Sequence, residues 1–163
     1  LVFTNSNHIN KFKHDKARRA LFEESVNSKH VYLDYIVEWV GSICSGGRLT
    51  GLLGCMVNEI AFRYAFKRAT VHKSWSFEEF MTLVVFGDDN VYGVHDDLKE
   101  LLSPVMVSCY MAELGLVYTS SDKDAELTHE FKTLEEVDFL KRRFVLDNTR
   151  RMYLAPLDIS VII

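Results

Sequence analysis

Apolar residues recur at helical spacing through Asp15–Asn27, where Ala17, Ala20, Leu21 and Val26 share one side of a charged segment, and the pattern predicts a helix. From His30 to Ile43 the chain turns to β-branched and aromatic residues (Val31, Tyr32, Tyr35, Ile36, Val37, Trp39, Val40), which predicts a strand or hairpin. Leu49–Arg68 returns to helical spacing, with Leu53, Met56, Val57, Ile60 and Tyr64 as the expected core stripe. Thr50, Gly54 and Asn58 form a second stripe beside it. A short helix or turn is expected around Glu78 and Glu79, followed by a continuous apolar run from Met81 to Phe86. Gly87-Asp88-Asp89-Asn90 then interrupts it before Val91–Val94, so two strands around a four-residue polar turn predict a hairpin.

Asp97–Leu114 reads as a helix that starts at or before Pro104 and stops at Gly115, a residue suited to the C-cap. Further strands are expected at Val117–Thr119, Val137–Leu140, Phe144–Leu146 and Met152–Leu154. This order predicts an α+β fold, an antiparallel sheet with helices packed on one face. Two prolines, Pro104 and Pro156, and the lack of any Gly/Ser linker or repeat make it one compact unit.

Composition narrows the classes. A chain of 163 residues with 48% hydrophobic and 26% charged residues is built to fold. A net charge of −4 argues against a surface that grips nucleic acid all over, though not against a domain that supplies carboxylates while other parts hold the strand. Cys44, Cys55 and Cys109 lack zinc-ligand spacing, which fits free thiols in a reducing compartment. No run of about 18 apolar residues suggests a membrane span. Leu1 opens the chain without a signal-peptide pattern and the apolar Ile159–Ile163 closes it, so the sequence reads as a piece of a longer protein.

The chemistry concentrates at Phe86-Gly87-Asp88-Asp89-Asn90. Neighbouring carboxylates between apolar strands repel unless a cation offsets them. Mg²⁺ suits such a place because it prefers carboxylate oxygens and keeps waters that substrate phosphates can replace. In two-metal phosphoryl transfer the ions lie about 3.5–4 Å apart and clamp the attacking and leaving oxygens. Gly, Asp and Asn are also ordinary turn residues, so alone the segment is equally a solvated hairpin loop. Ser45-Gly46-Gly47-Arg48-Leu49-Thr50 is the second constellation: a small-residue loop opening a helix, which leaves N–H groups free for phosphate or ribose contacts, or simply forms an N-cap. His95-Asp96-Asp97 reads as a solvated helix start. The basic residues Lys11, Lys13, Lys16, Arg18 and Arg19 read as a polar helix face, and Trp39 and Trp75 as core or anchor residues.

Together these segments resemble the RNA-dependent RNA polymerases of picorna-like positive-strand RNA viruses. Ser45-Gly46-x-x-x-Thr50 with Asn58 is similar to the family's motif B, and Leu83–Val91 around Gly87-Asp88-Asp89 to motif C. Gly115–Thr119 with Asp122-Lys123 is similar to motif D, and Phe139-Leu140-Lys141-Arg142 with Phe144 to motif E. Ala155-Pro156-Leu157-Asp158 resembles the segment leading toward the thumb. The motifs stand in family order across roughly Ser28–Ile163.

The resemblance implies a polymerase palm over residues 1–150 and the start of the transition toward the thumb over 151–163. It implies template-directed transfer of nucleotides from NTPs to an RNA 3′ end, with Mg²⁺ (or Mn²⁺) held by Asp88 and Asp89. Ser45, Gly46 and Thr50 would shape the loop that positions template and nucleotide, with Asn58 on the same helix. Lys123 would be the general acid for the departing pyrophosphate, a role a protonated lysine suits; its bland counterpart is a surface lysine beside Asp122. Lys141 and Arg142 would hold primer or nucleotide phosphates, or simply guard a strand edge. Implied partners are RNA template and primer, NTPs, the remaining fingers and thumb, and other viral replication proteins. The implied location is the host cytoplasm, at membrane-associated replication complexes.

Two departures stand out. Gly54 occupies the position where the family carries an Asn that senses the ribose 2′-OH, and glycine has no side chain to do so. The Asp-x₄₋₅-Asp strand of motif A is missing: Asp15 and Asp34 do not form it. The chain by itself is therefore expected to be inactive. Three rivals share the residues: a non-catalytic palm remnant, whose mark would be decay of the paired acids; a double-stranded RNA virus polymerase, toward which Gly54 leans; and reverse transcriptase, whose Asp turn normally lacks this Gly and the Phe-Leu-Lys-Arg segment.

Overall fold

The computed structural model describes residues 11–47, 49–121 and 125–157, without the side chains of 11–13. It divides into two compact units, residues 1–54 and 55–163. The expected boundary at 150/151 falls inside a hairpin of the second unit.

The first unit opens with helix α1 (Lys11–Val26), where Arg18 pairs with Asp15 at 2.9 Å. Strands β1 (Lys29–Tyr32) and β2 (Tyr35–Glu38) form the expected hairpin, with Tyr32 opposite Tyr35 across a Leu33-Asp34 turn. The backbone then folds back, Trp39 N–H donating to the Ser28 carbonyl and Ser42 N–H to that of Val26. Trp39 does not serve as a core residue: it is 53% exposed, like the neighbouring hairpin residues Val31 and Ile36, while its backbone N–H is taken by the Ser28 carbonyl.

Helix α2 (Thr50–Ala69) matches the predicted segment, but its buried face is a different one. Ala61, Phe62, Ala65 and Phe66 are buried, whereas Ile60 and Val57 of the expected stripe are largely exposed. The reason is geometric. Phe62 meets the rings of Tyr92 and Tyr118, Phe66 meets Phe77, and Ala61 and Ala65 lie on the same side of the helix. At ~100° per residue these four share the side of Cys55 and Asn58, so the polar stripe and the core are one face.

Against that face stand α3 (Phe77–Phe80), β3 (Met81–Phe86) and β4 (Asp89–Val94). Met81, Leu98 and Leu102 join the core, as do Val107 and Met111 of α4 (Pro104–Glu113). Phe62 is the hub, with ring centroids 5.1 Å from Tyr92 and 5.9 Å from Tyr118. Trp75 does anchor, stacked on Phe80 at 4.6 Å. Helix α4 begins with Pro104 at its first position and ends in a Schellman motif: Gly115, at φ 75°, donates to the Ala112 carbonyl and Leu116 to that of Met111. His95-Asp96-Asp97 starts a 3₁₀ turn, as a solvated helix start would.

The strand expected at Val117–Thr119 does not form. Val117 is 90% exposed, and the segment is fastened instead by the Tyr118 side chain. The last strands are β5 (Asp138–Phe139), β6 (Arg142–Arg143), β7 (Val145–Asp147) and β8 (Met152–Leu154). The architecture is α+β, and its antiparallel pairing is carried by four two-stranded hairpins among the described residues. None of the described helices is long and apolar enough to cross a membrane.

Two outcomes test this packing. Phe62→Ala should cost about 3–5 kcal/mol in urea unfolding of the chain, whereas Ile60→Ala stays within about 0.5 kcal/mol; equal losses would contradict the assigned face. Arg63 of α2 donates to Glu78 at 2.7 Å, and this contact, with the Glu78 amide and the Ser76 hydroxyl, pulls the Glu78 carboxyl down to about 2. A depressed carboxylate contributes stability above its unfolded value, and the contribution fades as pH falls from the usual 4.5 toward about 2. An NMR titration should show that low midpoint, and Arg63→Ala should return it toward an ordinary glutamate.

Candidate active site

Phe86 pairs directly with Asp89, so the β3–β4 turn has two central residues, Gly87 and Asp88, rather than four. Asp89 and Asn90 are already in β4, which corrects the expectation of a four-residue loop. Gly87 adopts φ 63°, whereas Asp88 is not among the positive-φ residues, the type II′ pattern with glycine first. This turn matches the right-handed twist of its strands, so the ladder continues to the last pair.

The turn is seated on α2 by side chains. The Asn58 Nδ2 lies 3.0 Å from the Asp88 carbonyl oxygen and 3.4 Å from those of Gly87 and Asp89. The Gly87 N–H donates to Cys55 Sγ at 3.0 Å. From the other side, Tyr118 donates to Asn90 Oδ1 at 3.0 Å, and the Asn90 amide reaches back to the Asp88 carbonyl at 3.4 Å. Burial against Phe62 pushes the Tyr118 hydroxyl up to about 12, so it remains a donor across the physiological range. Burial pushes Tyr92 up as well, and its hydroxyl donates to the Leu102 carbonyl.

The two carboxylates themselves are treated differently. Asp88 and Asp89 are exposed, and among the described residues neither carboxylate has a hydrogen-bond or ion-pair partner. Their backbone is fastened while their charge is left open. No group of three or more His, Cys, Asp or Glu among the described residues could hold a metal. Two adjacent carboxylates nevertheless match the oxygen donors that a hydrated divalent cation takes.

The remaining candidates are placed as follows. Ser45 and Gly46 sit in an exposed turn, Gly46 at φ 81°. The Thr50 hydroxyl closes that loop by donating to the Cys44 carbonyl, and a side-chain carbon on Gly47 would lie 2.9 Å from the Thr50 Oγ1. Thr50 thus acts on the loop's shape, and glycine at 47 is needed for the close approach. Lys141 lies with Leu140 at the tip of the β5–β6 hairpin, both at positive φ (59° and 52°), an arrangement bulky side chains seldom adopt. Arg142 spends its Nη1 on the Ala155 carbonyl at 2.7 Å and so braces the following segment. Lys123 lies outside the described residues, as do Asp122, Arg48 and Asp158. Sequence reading missed Cys55 and Tyr118. Their signal was positional: Cys55 stands three residues before Asn58, and Tyr118 is the one bulky polar residue in an apolar stretch after Gly115.

The family model described as viral RNA-dependent RNA polymerase matches residues 1–163. The replicase polyprotein of Drosophila C virus (strain EB) is 31% identical over 149 residues, covering 87% of this chain and 8% of the viral protein. The RNA1 polyprotein of Blackcurrant reversion association virus is 34% identical over 145 residues, covering 88% and 7%. That of Beet ringspot virus is 39% identical over 121 residues, covering 72% and 5%. The chain thus spans less than a tenth of these relatives' length.

Gly87→Ala separates backbone cost from crowding, because nothing lies within 4 Å of the carbon it would add. It should destabilise the chain by about 1–3 kcal/mol, the cost of holding a non-glycine residue at this φ. An unchanged urea midpoint would contradict the turn geometry.

Proposed function

The chain belongs to the viral RNA-dependent RNA polymerase family, and from that premise we propose that it forms the part of a palm that carries the paired catalytic carboxylates. The observation that carries this reading is the β3–β4 turn, whose backbone is fastened to α2 while the Asp88 and Asp89 carboxylates are left without a partner among the described residues. Unpaired like charges side by side cost stability, and a site that keeps them so is suited to a divalent cation.

In this reading Asp88 is the principal ligand of Mg²⁺ or Mn²⁺, with Asp89 close to a second ion. Ions bound there supply positive charge to the reacting phosphates and favour the ionised 3′-hydroxyl of the primer. The 3′ hydroxyl gives its proton to solvent water, its oxygen attacks the α-phosphorus of an NTP, a phosphodiester bond forms, and the bond to pyrophosphate breaks. Lys123 gives its proton to the departing pyrophosphate. Ser45, Gly46 and Thr50 shape a loop against template and nucleotide, and Lys141 meets phosphates from the exposed tip of its hairpin. Arg142 has donors to spare for the same strand beyond the one it gives to Ala155. Catalysis of this kind depends on positioning and preorganised charge more than on covalent chemistry by the protein.

RNA template and primer, the fingers and thumb, and other viral replication proteins complete the machine, which we place at membrane-associated complexes in the host cytoplasm. The 163-residue chain alone should be inactive, since the family's further Asp strand and the nucleic-acid channel are supplied elsewhere. Gly54 removes the usual side-chain contact with the ribose 2′-OH, so sugar selection must rest on other groups.

Primer extension by the full-length protein tests the assignment. Asp88→Asn should lower the rate by about three orders of magnitude, the equivalent of several kcal/mol of lost charge stabilisation. Wild-type extension by Asp88→Asn would overturn it.

A further inference from the structure

The backbone of the carboxylate turn poses an electrostatic problem that the carboxylates alone do not explain. Three successive carbonyl oxygens, of Gly87, Asp88 and Asp89, converge to within 3.0–3.4 Å of a single nitrogen, Asn58 Nδ2. Their negative ends gather beside two acidic side chains. Only a donor relieves that crowding, and of the two ends of an Asn side chain only the NH₂ donates. Its two hydrogens cannot satisfy three acceptors at full strength, and the distances reflect this: one contact is of ordinary length and two are long. The Gly87 N–H, which points away from the β3–β4 ladder, is taken by Cys55 Sγ at 3.0 Å. Both peptide groups of the turn's first residue are therefore received by side chains three positions apart on α2.

That face of α2 continues into Ala61, Phe62 and Ala65, which belong to the buried core. The turn is thus referenced to the rigid core and not merely to its own strands. We propose that Asn58 and Cys55 are positioning residues of the polymerase, fixing where the Asp88 and Asp89 carboxylates stand and so setting their affinity for the divalent cation. This rests on the reading of the turn as the ion-binding site. Asn58 is accordingly assigned to the catalytic turn, with its amide nitrogen given to the protein backbone and not to RNA.

Support of this kind has a characteristic size: removing a group that orients a metal ligand costs about 10- to 100-fold in metal affinity or activity. Asn58→Leu keeps the volume and removes the donor. Cys55→Val removes the acceptor, whereas Cys55→Ser restores one in nearly the same place.

The test is Mn²⁺ binding to the full-length protein, followed by electron paramagnetic resonance, with primer extension measured across a Mg²⁺ series. Asn58→Leu should weaken Mn²⁺ about 10- to 100-fold, shift the Mg²⁺ requirement upward, and leave the KM for NTP at saturating Mg²⁺ near that of wild type. Cys55→Val should move the same way and Cys55→Ser should recover. If Asn58→Leu loses cooperative unfolding, the cysteine pair carries the test by itself. Wild-type Mn²⁺ affinity in a folded Asn58→Leu, or in Cys55→Val, overturns the proposal while the site stands, provided Asp88→Asn abolishes binding. Unchanged Mn²⁺ affinity in Asp88→Asn overturns the ion site and the proposal with it.

Discussion

Two carboxylates on consecutive residues push apart, and the rest of this fold is arranged around holding their backbone still while leaving that repulsion unrelieved. The β3–β4 hairpin could hold its tip by ladder bonds alone, as any tight hairpin does. Here it also leans on Asn58 and Cys55 of α2, and on Tyr118 through Asn90. Each of these three is itself set by the core. Asn58 and Cys55 stand on the helical face that carries Phe62, and the Tyr118 ring meets Phe62 edge-on. A shift of that one aromatic ring would therefore reach the acidic turn from two directions. The position of the turn is, in this chain, a packing property of one helix face.

Helix α2 carries more apolar residues than its covered face uses. A helix with one covered face needs only one apolar stripe, whereas Leu52, Val57 and Ile60 stay exposed here. The β1–β2 hairpin shows the same excess, with Val31 and Ile36 largely exposed. The chain spans less than a tenth of the Drosophila C virus and Blackcurrant reversion association virus polyproteins. Two ion pairs, by contrast, tie helices within the second unit: Arg63 joins α2 to Glu78 of α3, and Arg68 joins it to Glu113 of α4 with Tyr64 beside it. These pairs are exposed and contribute modestly. Their value is registry between helices whose apolar contact is small.

Much of this was legible from residue order. The hairpins around Asp34 and Asp88, the helix ending at Gly115 and the strand Met152–Leu154 follow from turn chemistry and periodicity, and these are local effects. The choice of α2's buried face was not legible, because two apolar stripes competed and only the neighbouring strands decide which is covered. Tyr118 was mistaken for a strand residue because its β-propensity is real; what fixes it is a side-chain hydrogen bond, which propensity does not report. Of the candidate site, residue order groups Asn58 with the Ser45–Thr50 loop and apart from the acidic pair, whereas the hydrogen bond from Asn58 to the Asp88 carbonyl joins positions 30 apart in the chain. No periodic pattern encodes such a contact.

In the proposed reading, cations gather at a turn whose backbone is fixed in advance. The most direct measurement is an anomalous difference map from crystals of the full-length protein soaked with Mn²⁺ and a nucleotide. It should show a peak against the Asp88 carboxylate, with the Asn58 amide still at hydrogen-bond distance from the Asp88 carbonyl. An empty tip, with manganese bound elsewhere in the protein, would contradict it.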